Sequence, residues 1–426
     1  MLCGCGDTAL LTVAQGSGAN PTLPPPRSSL LPTVHIAPAV GWAAGATPRA
    51  APGLQVAAIA SGLDHPRWLL VLPNGDVLVA ETNAPSRPDD VPGLRGWVMR
   101  QVMARAGAGV PSANRISLLR DADGDGVAEQ RQVLLDGLNA PFGMALVGNT
   151  LYVANTDAVL ACDFQPGATR IGVPCRQLLA LPAGTINHHW TKNLIASPDG
   201  RQLYVAVGSN SNVGENGLAA EAGRAAVWQV DLPGGAQRVF ASGLRSPVGL
   251  AWGADGQTLW VVVNERDELG SDLVPDYLTH LQSGGFYGWP HSYFGAHEDG
   301  RVQPPQPALV ASALVPDHAL GPHTAPLGLA ATGSGPPLAP TLAQGMFVGQ
   351  HGSWNRRPAS GYQVVFIPFD GARPAPVPAI TVLDGFLDAD GRAQGRPAGV
   401  ALDGRGGLLV ADDVGNTVWR VRAAGP

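Results

Sequence analysis

The stretch Asn187-His188-His189-Trp190-Thr191-Lys192-Asn193-Leu194 leads into Ile195-Ala196-Ser197-Pro198-Asp199-Gly200 and then into Leu203-Tyr204-Val205-Ala206-Val207. It contains a polar loop, a short apolar strand, a Pro-Asp-Gly turn and a second apolar strand. Two adjacent histidines and a tryptophan lie where the first strand begins. The stretch therefore predicts two paired strands whose opening loop carries chemically active side chains.

The same pattern recurs five more times, in stricter or looser form. It consists of a polar residue, Pro, any residue, Gly and an apolar run, followed by a turn and a second apolar run. The other copies begin at Asp64-His65-Pro66-Arg67, Asn139-Ala140-Pro141-Phe142-Gly143, Arg245-Ser246-Pro247-Val248-Gly249, Thr324-Ala325-Pro326-Leu327-Gly328 and Gly395-Arg396-Pro397-Ala398-Gly399. Their spacing of roughly 50 to 80 residues fits one four-stranded blade plus insertions per copy.

Six copies predict an all-β fold, a six-bladed β-propeller with four-stranded antiparallel blades. One such sheet cannot cover both of its faces, and packing six sheets around an axis solves this. A long β-sandwich is the alternative, but it would not repeat the Pro-Gly opening. The apolar segment 55–60 is expected to pair beside Val418-Trp419-Arg420-Val421 and close the ring.

The opening loops are expected to meet at one mouth, because the innermost strand of each propeller blade starts near the central channel. The residues placed at this mouth are His65, Arg67, Ala140, Pro141, His188, His189, Arg245, Thr324 and Arg396. The functional predictions depend on this convergence.

The composition favours turns over long helices, because 56 of the 426 residues are Gly and 39 are Pro. Charged residues make up 14% and the net charge is −6, without a basic run. No nucleic-acid partner is therefore expected. Residues 1–50 are rich in Pro, Ala, Gly and Ser and predict an N-terminal tether or extended arm. Residues 51–426 are predicted to form the propeller domain.

The cysteines give information about the cellular location of the protein. Leu2-Cys3-Gly4-Cys5 resembles the end of a bacterial lipoprotein signal, although the apolar segment that should precede it is missing. Either the start codon is placed too late or the resemblance is chance. The first alternative predicts a periplasmic protein that is tethered to a membrane through a lipid on Cys5. Cys162 and Cys175 could form one disulfide, which would require an oxidising compartment.

His189 is the best candidate for a catalytic base, because a neutral imidazole near pH 7 can take a proton from a hydroxyl group. The alternative is that His188 and His189 only cap a turn. Arg245 and Arg396 occupy equivalent positions in two copies and would suit a polyanionic ligand, since arginine binds carboxylates two-pronged. Ordinary surface arginines are the alternative.

Two acidic segments could hold Ca²⁺, which prefers oxygen ligands. One is the loop 264–272, which contains Arg266 and Asp267 and follows the fourth copy directly. The other matches the DxDxDG pattern of calcium loops and has Gln132, where a standard EF-hand has Glu, at its twelfth position. Its candidate ligands are Asp121, Asp123, Asp125 and Glu129. The alternatives are a solvated charged loop and a polar hairpin turn.

Six motifs in order resemble the L-sorbosone dehydrogenase family, which is similar to the soluble pyrroloquinoline-quinone (PQQ) sugar dehydrogenases, including the pyranose dehydrogenases. The motifs are His188-His189-Trp190-Thr191-Lys192-Asn193, Arg245-Ser246-Pro247-Val248-Gly249, Asn264-Glu265-Arg266-Asp267, Gly285-Phe286-Tyr287-Gly288-Trp289-Pro290, His351-Gly352-Ser353-Trp354-Asn355-Arg356 and Gly395-Arg396-Pro397-Ala398-Gly399-Val400. The resemblance extends from about Leu54 to Val421.

The resemblance implies that PQQ lies over the channel mouth with Ca²⁺ beside the quinone. It implies His189 as the base and Arg245 as the contact to the reacting quinone. It aligns the calcium-binding backbone pair with Arg266 and Asp267. The late-blade arginine that pairs with PQQ carboxylates in the relatives matches Arg396. Their fifth-blade lysine contact has no lysine to match it here, and Asn355 or Arg356 is the nearest stand-in. The other residues expected to contact the cofactor are Thr324, Pro141, His188 and Arg266. The chain departs from the relatives at Ser246, which replaces Asn, and at Ala140, which replaces Gln.

The implied reaction is the oxidation of a sugar lactol or hydrated aldehyde, such as sorbosone or an aldose, to a lactone or acid. His189 takes the hydroxyl proton, a hydride moves to PQQ, and Ca²⁺ and Arg245 stabilise the developing charge. The electrons leave to an external acceptor, a cytochrome or the quinone pool. The alternatives are a metal-dependent sugar lactonase and a non-catalytic propeller that binds glycan or protein.

Overall fold

Six antiparallel sheets surround one axis, and each contains four main strands. The computed structural model of the chain describes residues 6–27, 33–85, 101–333 and 335–425. The innermost strands contact one another in ring order, from blade 1 to blade 6 and back to blade 1. The predicted six-bladed β-propeller is thereby confirmed.

The blades follow the order of the chain, with the first strand of each at the axis. Blade 1 contains Pro66–Val71, Val77–Glu81, Arg115–Arg120 and Gln130–Leu135; blade 2 contains Met144–Val147, Thr150–Ala154, Ala158–Asp163 and Arg176–Ala180; blade 3 contains Lys192–Ala196, Gln202–Val207, Ala226–Asp231 and Gln237–Ser242. Blade 4 contains Ser246–Trp252, Leu259–Asn264, Pro275–His280 and His318–Pro322; blade 5 contains Pro326–Ala331, Gly345–Gln350, Gln363–Asp370 and Ile380–Asp384; blade 6 contains Pro397–Leu402, Leu408–Asp412, Thr417–Ala423 and Leu54–Ser61.

The ring closes by joining the two ends of the propeller within blade 6. Leu54–Ser61 pairs antiparallel with Thr417–Ala423, and Val56 lies opposite Val421. This is the pairing that the sequence predicts. It ties the first and last strands of the domain into one sheet, with Leu54–Ser61 as its outermost strand.

The Pro-x-Gly opening has a packing reason. A Cβ atom on Gly249 would lie 2.8 Å from the Leu327 carbonyl oxygen of the next blade, and one on Gly399 would lie 2.7 Å from the Arg67 carbonyl oxygen. Only a residue without a side chain allows neighbouring inner strands to approach this closely. In blade 3 Asn193 takes the glycine position, and its Nδ2 donates to the Val248 carbonyl oxygen at 2.7 Å.

The described part of the first fifty residues lies along the propeller. Ser17–Gly18 extends the sheet of blade 4, and Arg49–Ala50 extends that of blade 5. Trp42 Nε1 donates to Asp412 Oδ2 of blade 6 at 2.7 Å. Cys3 and Cys5, which carry the lipid-anchor prediction, lie outside the described residues.

The remaining elements are short. The short strands are Gly285–Phe286, Ser292–Tyr293, His297–Glu298 and Arg373–Pro374, the helix is Pro307–Ala311, the 3₁₀ helices are Ala14–Gly16, Leu218–Glu221 and Pro340–Leu342, and residues 101–105 are helical. None of the helices in the described ranges is long and apolar enough to cross a membrane. Cys162 and Cys175 form a disulfide within blade 2.

Candidate active site

The opening loops surround a cavity of about 230 Å³ at one end of the ring. Most of its lining is polar or charged. The lining residues are Arg67, His188, His189, Trp190, Thr191, Arg245, Ser246, Val248, Asn264, Glu265, Asp267, Asp276, His323, Ala325, Leu327, Ser353, Trp354 and Asn355. The structure therefore brings together the predicted residues His188, His189, Arg245, Asp267 and Asn355.

His189 is held with one ring nitrogen bonded to the protein. Its Nδ1 lies 3.0 Å from the Ser209 carbonyl oxygen and 2.9 Å from Ser209 Oγ, which itself donates to the Ser211 carbonyl oxygen. Because a carbonyl oxygen only accepts, Nδ1 carries the proton and Nε2 keeps its lone pair. Burial and the Arg245 charge lower the pKa of His189 well below its usual value, so the imidazole is neutral at pH 7.

Arg245 has all of its donors engaged within the protein. Nη1 donates to the Glu265 carbonyl oxygen at 2.7 Å and lies 3.5 Å from that of Asn264. Nε and Nη2 donate to the carbonyl and side-chain oxygens of Asn212, and Nη2 also donates to Asp267 Oδ2 at 3.0 Å. The guanidinium therefore supplies a fixed positive charge to the cavity wall, but it has no N–H donor left for a ligand.

Asp267 links three residues of the cavity. Besides Arg245, its carboxylate accepts from Asn355 Nδ2 at 2.7 Å, and His323 Nδ1 lies 3.7 Å from Oδ1. Burial would raise the pKa of Asp267, but Arg245, His323 and Asn355 outweigh it and hold that pKa far below the usual value. Asp267 is therefore ionised and carries a negative charge opposite the arginine.

His323 is a cavity residue that sequence reasoning missed. Its Nε2 donates to the Gly270 carbonyl oxygen at 3.0 Å, while Nδ1 faces Asp267. Burial lowers its pKa, but these acceptors outweigh burial and raise it above the usual value. The available signal was its place directly before Thr324 in the fifth opening motif.

Arg67 is the second guanidinium that lines the cavity. Its Nη1 lies 3.0 Å from Asp413 Oδ2, and its Cζ lies 5.5 Å from the centre of the Trp190 ring. His351 Nε2 shares the same carboxylate at 2.8 Å. Arg67 Nε is buried without a hydrogen-bond partner. Arg67 therefore brings a second positive charge to the cavity lining, on the side opposite Arg245.

Five predicted cofactor contacts, Arg396, Thr324, Pro141, Arg266 and Arg356, do not line the cavity. The guanidinium of Arg396 lies over the Tyr362 ring at 5.0 Å, and its Nη2 donates to the Ala37 carbonyl oxygen at 3.2 Å. Thr324 Oγ1 donates to Asp276 Oδ2 at 3.3 Å, and Asp276 rather than Thr324 lines the cavity. Pro141 is buried at the opening of blade 2.

The side chain of Arg266 also lies away from the cavity, in the protein interior. It forms ion pairs with Glu265 at 3.0 Å and Asp299 at 3.1 Å, and it is fully buried. Pairing with two carboxylates compensates the loss of hydration. This arrangement makes Arg266 a structural residue.

Arg356, the second arginine of its motif, is likewise turned inward. Its Nε donates to the Ser271 carbonyl oxygen at 3.0 Å and its Nη2 to that of Leu11 at 2.9 Å. Arg356 therefore ties the N-terminal segment to the loop after the fourth copy, while its neighbour Asn355 faces the cavity.

The Asp267 oxygens predicted to hold Ca²⁺ at the mouth are engaged by donors. The Asp267 carbonyl oxygen accepts from Arg301 Nη1 at 3.0 Å, and its carboxylate accepts from Arg245 and Asn355. Ca²⁺ requires six to eight oxygen ligands. Engaged in this way, the Asp267 oxygens do not fit this ion.

The DxDxDG loop presents a donor set that fits Ca²⁺ better. One ligand atom from each of Asp121, Asp123, Asp125 and Glu129 lies within 4.8 Å of the others. Gln132 is paired with Leu118 in the outer strand, so Glu129 closes the loop. Because strands alternate in direction, this loop lies at the end of blade 1 opposite the mouth.

The fold and the cavity together define a six-bladed propeller whose mouth presents a neutral histidine among anchored arginines and aspartates. The chain belongs to the TrAA12-like family, whose profile matches residues 110–276 and 310–424, more than half of its length. An uncharacterized protein of Borreliella burgdorferi is 24% identical over 297 residues, which cover 67% of this chain and 76% of that protein.

Solved structures share the fold at low sequence identity. The holo form of the pyranose dehydrogenase PQQ domain from Coprinopsis cinerea is 21% identical with a TM-score of 0.68, over 88% of this chain and 97% of that one. The calcium structure of the Trichoderma reesei carbohydrate-active enzyme of family AA12 is 18% identical with a TM-score of 0.69, over 93% and 100%. The PQQ-bound aldose sugar dehydrogenase of Streptomyces coelicolor is 16% identical with a TM-score of 0.55, over 88% and 99%.

Proposed function

We propose that this protein is a PQQ-dependent dehydrogenase that oxidises a sugar lactol or hydrated aldehyde to a lactone or acid. The observation that carries the proposal is the cavity in which His189 keeps a free Nε2 on the same wall as the Arg245 charge. Family membership and the fold shared with pyranose and aldose sugar dehydrogenases support it.

The cavity residues fit PQQ, a flat quinone that carries carboxylates. Arg67 lines the cavity, and a guanidinium is suited to carboxylate oxygens. Trp190 and Trp354 add aromatic surface to the lining. PQQ, when bound, supplies the two-electron acceptor that no protein side chain provides.

The protein's own part in the reaction is proton transfer and charge stabilisation. His189 is neutral because burial and Arg245 lower its pKa, so Nε2 accepts the proton of the substrate hydroxyl. Ser209 holds Nδ1 and stabilises the imidazolium that forms. Arg245, fixed by its five engaged donors, stabilises negative charge that develops in the cavity.

The finer features of the proposal come from the sequence. The substrate is sorbosone or an aldose, the electrons leave to a cytochrome or the quinone pool, and the lipoprotein-like start at Cys5 favours a periplasmic, membrane-tethered protein. Ca²⁺ is proposed at the Asp121 loop, whose four carboxylates suit it.

The metal-dependent lactonase is the less favoured alternative. Glu265, Asp267 and Asp276 do line one wall of the cavity. Each is already engaged, however: Glu265 with Arg266, Asp267 with Arg245, and Asp276 with the backbone N–H groups of Glu265 and Ala325. They do not converge on a common point as the carboxylates of the Asp121 loop do.

The test is reconstitution of the purified apoprotein with PQQ, with and without added Ca²⁺. Bound-quinone absorbance and dye reduction are measured with sorbosone and a panel of aldoses. We expect bound quinone and sugar-dependent dye reduction. Absence of both would contradict the proposal and favour a glycan- or protein-binding propeller, whereas metal-dependent lactone hydrolysis without quinone binding would favour the lactonase.

A further inference from the structure

Lys192 is the single lysine of the chain, and its side chain is fully buried. It begins the innermost strand of blade 3, three residues after His189. Its Nζ donates to the main-chain carbonyl oxygen of His189 at 3.0 Å and lies 3.4 Å from Asn187 Oδ1. The ammonium therefore ties together both ends of the short loop that carries the candidate base.

The fold does not require a lysine at this position. Lys192 occupies the place between the proline and glycine positions of the opening motif. The residues at the same place in blades 2, 4, 5 and 6 are Phe142, Val248, Leu327 and Ala398, and blade 1 has Arg67, which lines the cavity. The four apolar residues belong to one hydrophobic cluster around the axis. An apolar side chain is thus the usual solution at this point of the ring.

The lysine is also held in an unfavourable setting. No carboxylate of the described residues pairs with Nζ, and a second cation, Arg224, donates to the same Asn187 Oδ1 at 2.8 Å. Burying an ammonium without a counter-ion opposes folding. Consistently, burial and then Arg224 lower the pKa of Lys192 to about 7. Such a residue is a candidate for a function other than stability.

We infer that Lys192 is a positioning residue for His189, which it holds through the His189 carbonyl so that the imidazole faces the cavity. This inference rests on the proposed role of His189 as base. Two further contacts complete the hold: Ser209 takes Nδ1, and a side chain on Gly208 would collide with the His189 Cβ. Small displacements of a catalytic group lower turnover strongly.

The test compares Lys192→Met with Lys192→Arg in reconstituted holoenzyme. Lys192→Met removes the hydrogen bond to the His189 carbonyl, whereas Lys192→Arg keeps a donor. For Lys192→Met we expect kcat to fall about 10- to 100-fold, with quinone binding unchanged and an unfolding temperature equal to or above that of the parent. We expect Lys192→Arg to retain more turnover than Lys192→Met.

Two outcomes would overturn the inference. One is a kcat for Lys192→Met within about twofold of the parent. The other is a lower unfolding temperature with loss of quinone binding, which would make the lysine a structural residue. A merely structural lysine cannot give lower turnover together with unchanged or higher stability.

A readout without the quinone separates this inference from the proposed function. Diethyl pyrocarbonate modification of the apoprotein, followed by mass spectrometry, measures the reactivity of His189 relative to the exposed His297. We expect Lys192→Met to change that ratio several-fold. An unchanged ratio would overturn the positioning role, and a changed ratio supports it even if the parent shows no turnover with PQQ.

Discussion

Two sides of the mouth use the same residue types in different ways. The blade 3–4 side has His189, Arg245 and Asp267, and the opposite side has His351, Arg67 and Asp413. Asp413 Oδ2 is hydrogen-bonded to His351 Nε2 and forms an ion pair with Arg67 Nη1.

The difference lies in which groups stay available to a ligand. On the blade 3–4 side the arginine has no spare donor and the histidine has a spare Nε2. On the opposite side His351 Nε2 is bonded to Asp413 Oδ2, and neither residue lines the cavity, whereas Arg67 does. The first side therefore presents a proton acceptor to the cavity, and the second presents the Arg67 guanidinium.

The largest expected effect distinguishes the two histidines. His189→Ala should lower kcat by about 1,000-fold while quinone binding is retained, because general-base catalysis contributes that order of rate. His351→Ala is the matched control and should lower kcat by less than about tenfold, since His351 does not line the cavity. Steady-state dye reduction at saturating PQQ measures both. Equal losses in the two variants would refute the assignment of the base.

The next effect concerns the stability contributed by the opposite side, which contains His351, Arg67 and Asp413. Asp413→Asn should lower the free energy of unfolding by about 2 kcal/mol, because a buried carboxylate that pairs with Arg67 and His351 becomes a neutral amide. Urea unfolding at pH 7 measures it.

The same substitution makes a pH-dependent prediction. Burial would raise the pKa of Asp413, but His351 and Arg67 hold it far below the usual value. The stabilising contribution is therefore present above the unfolded-state pKa of about 4 and is lost as the pH falls below it. The stability gap between parent and Asp413→Asn should narrow in acid. A gap that widened in acid would contradict the assignment.

A smaller effect separates the arginines. Arg67→Met should weaken quinone binding by about tenfold, because one charge-assisted contact to a carboxylate is lost. Arg396→Met is the control and should leave quinone affinity within about twofold, since Arg396 is stacked on Tyr362 outside the cavity lining. Quenching of tryptophan fluorescence by added PQQ measures both. The reverse ranking would restore the sequence-based assignment of Arg396.

The smallest effect is a shift in pH dependence. Because the pKa of His189 lies well below its usual value, kcat/KM should reach its plateau at a pH below 6.5 and fall on further acidification. The Asp267 charge raises the pKa of His189, so Asp267→Asn should move this acid limb to lower pH. Asp413→Asn should leave the limb in place. Movement of the limb toward higher pH in Asp267→Asn would contradict the electrostatic account.

Prediction from sequence succeeded where a feature repeats along the chain. The Pro-x-Gly opening can be recognised in the sequence because glycines such as Gly249 and Gly399 contact the backbone of the next blade. The same packing requirement acts in most blades and leaves the same trace in each. For this reason His189 and Arg245 could be predicted as cavity residues, since both lie at defined places in their opening motifs.

Prediction of side-chain direction was less successful where residues from distant segments compete to bind the same side chain. Arg396 lies in an opening motif, yet its Nη2 bonds to Ala37 of the N-terminal segment. Thr324 turns to Asp276, and its neighbour His323 takes the cavity position instead. No local pattern specifies these directions.

The amino-acid sequence by itself determined the number of blades, their closure and the set of loops that form the mouth, because periodic strands and close-packed glycines are local requirements. Folding in three dimensions settles which histidines and arginines face the cavity, and it places the Lys192 ammonium on the His189 carbonyl oxygen. Those outcomes depend on partners such as Asn212, Ser209 and Asp413, which lie far along the chain or in other blades and compete for the same hydrogen bonds.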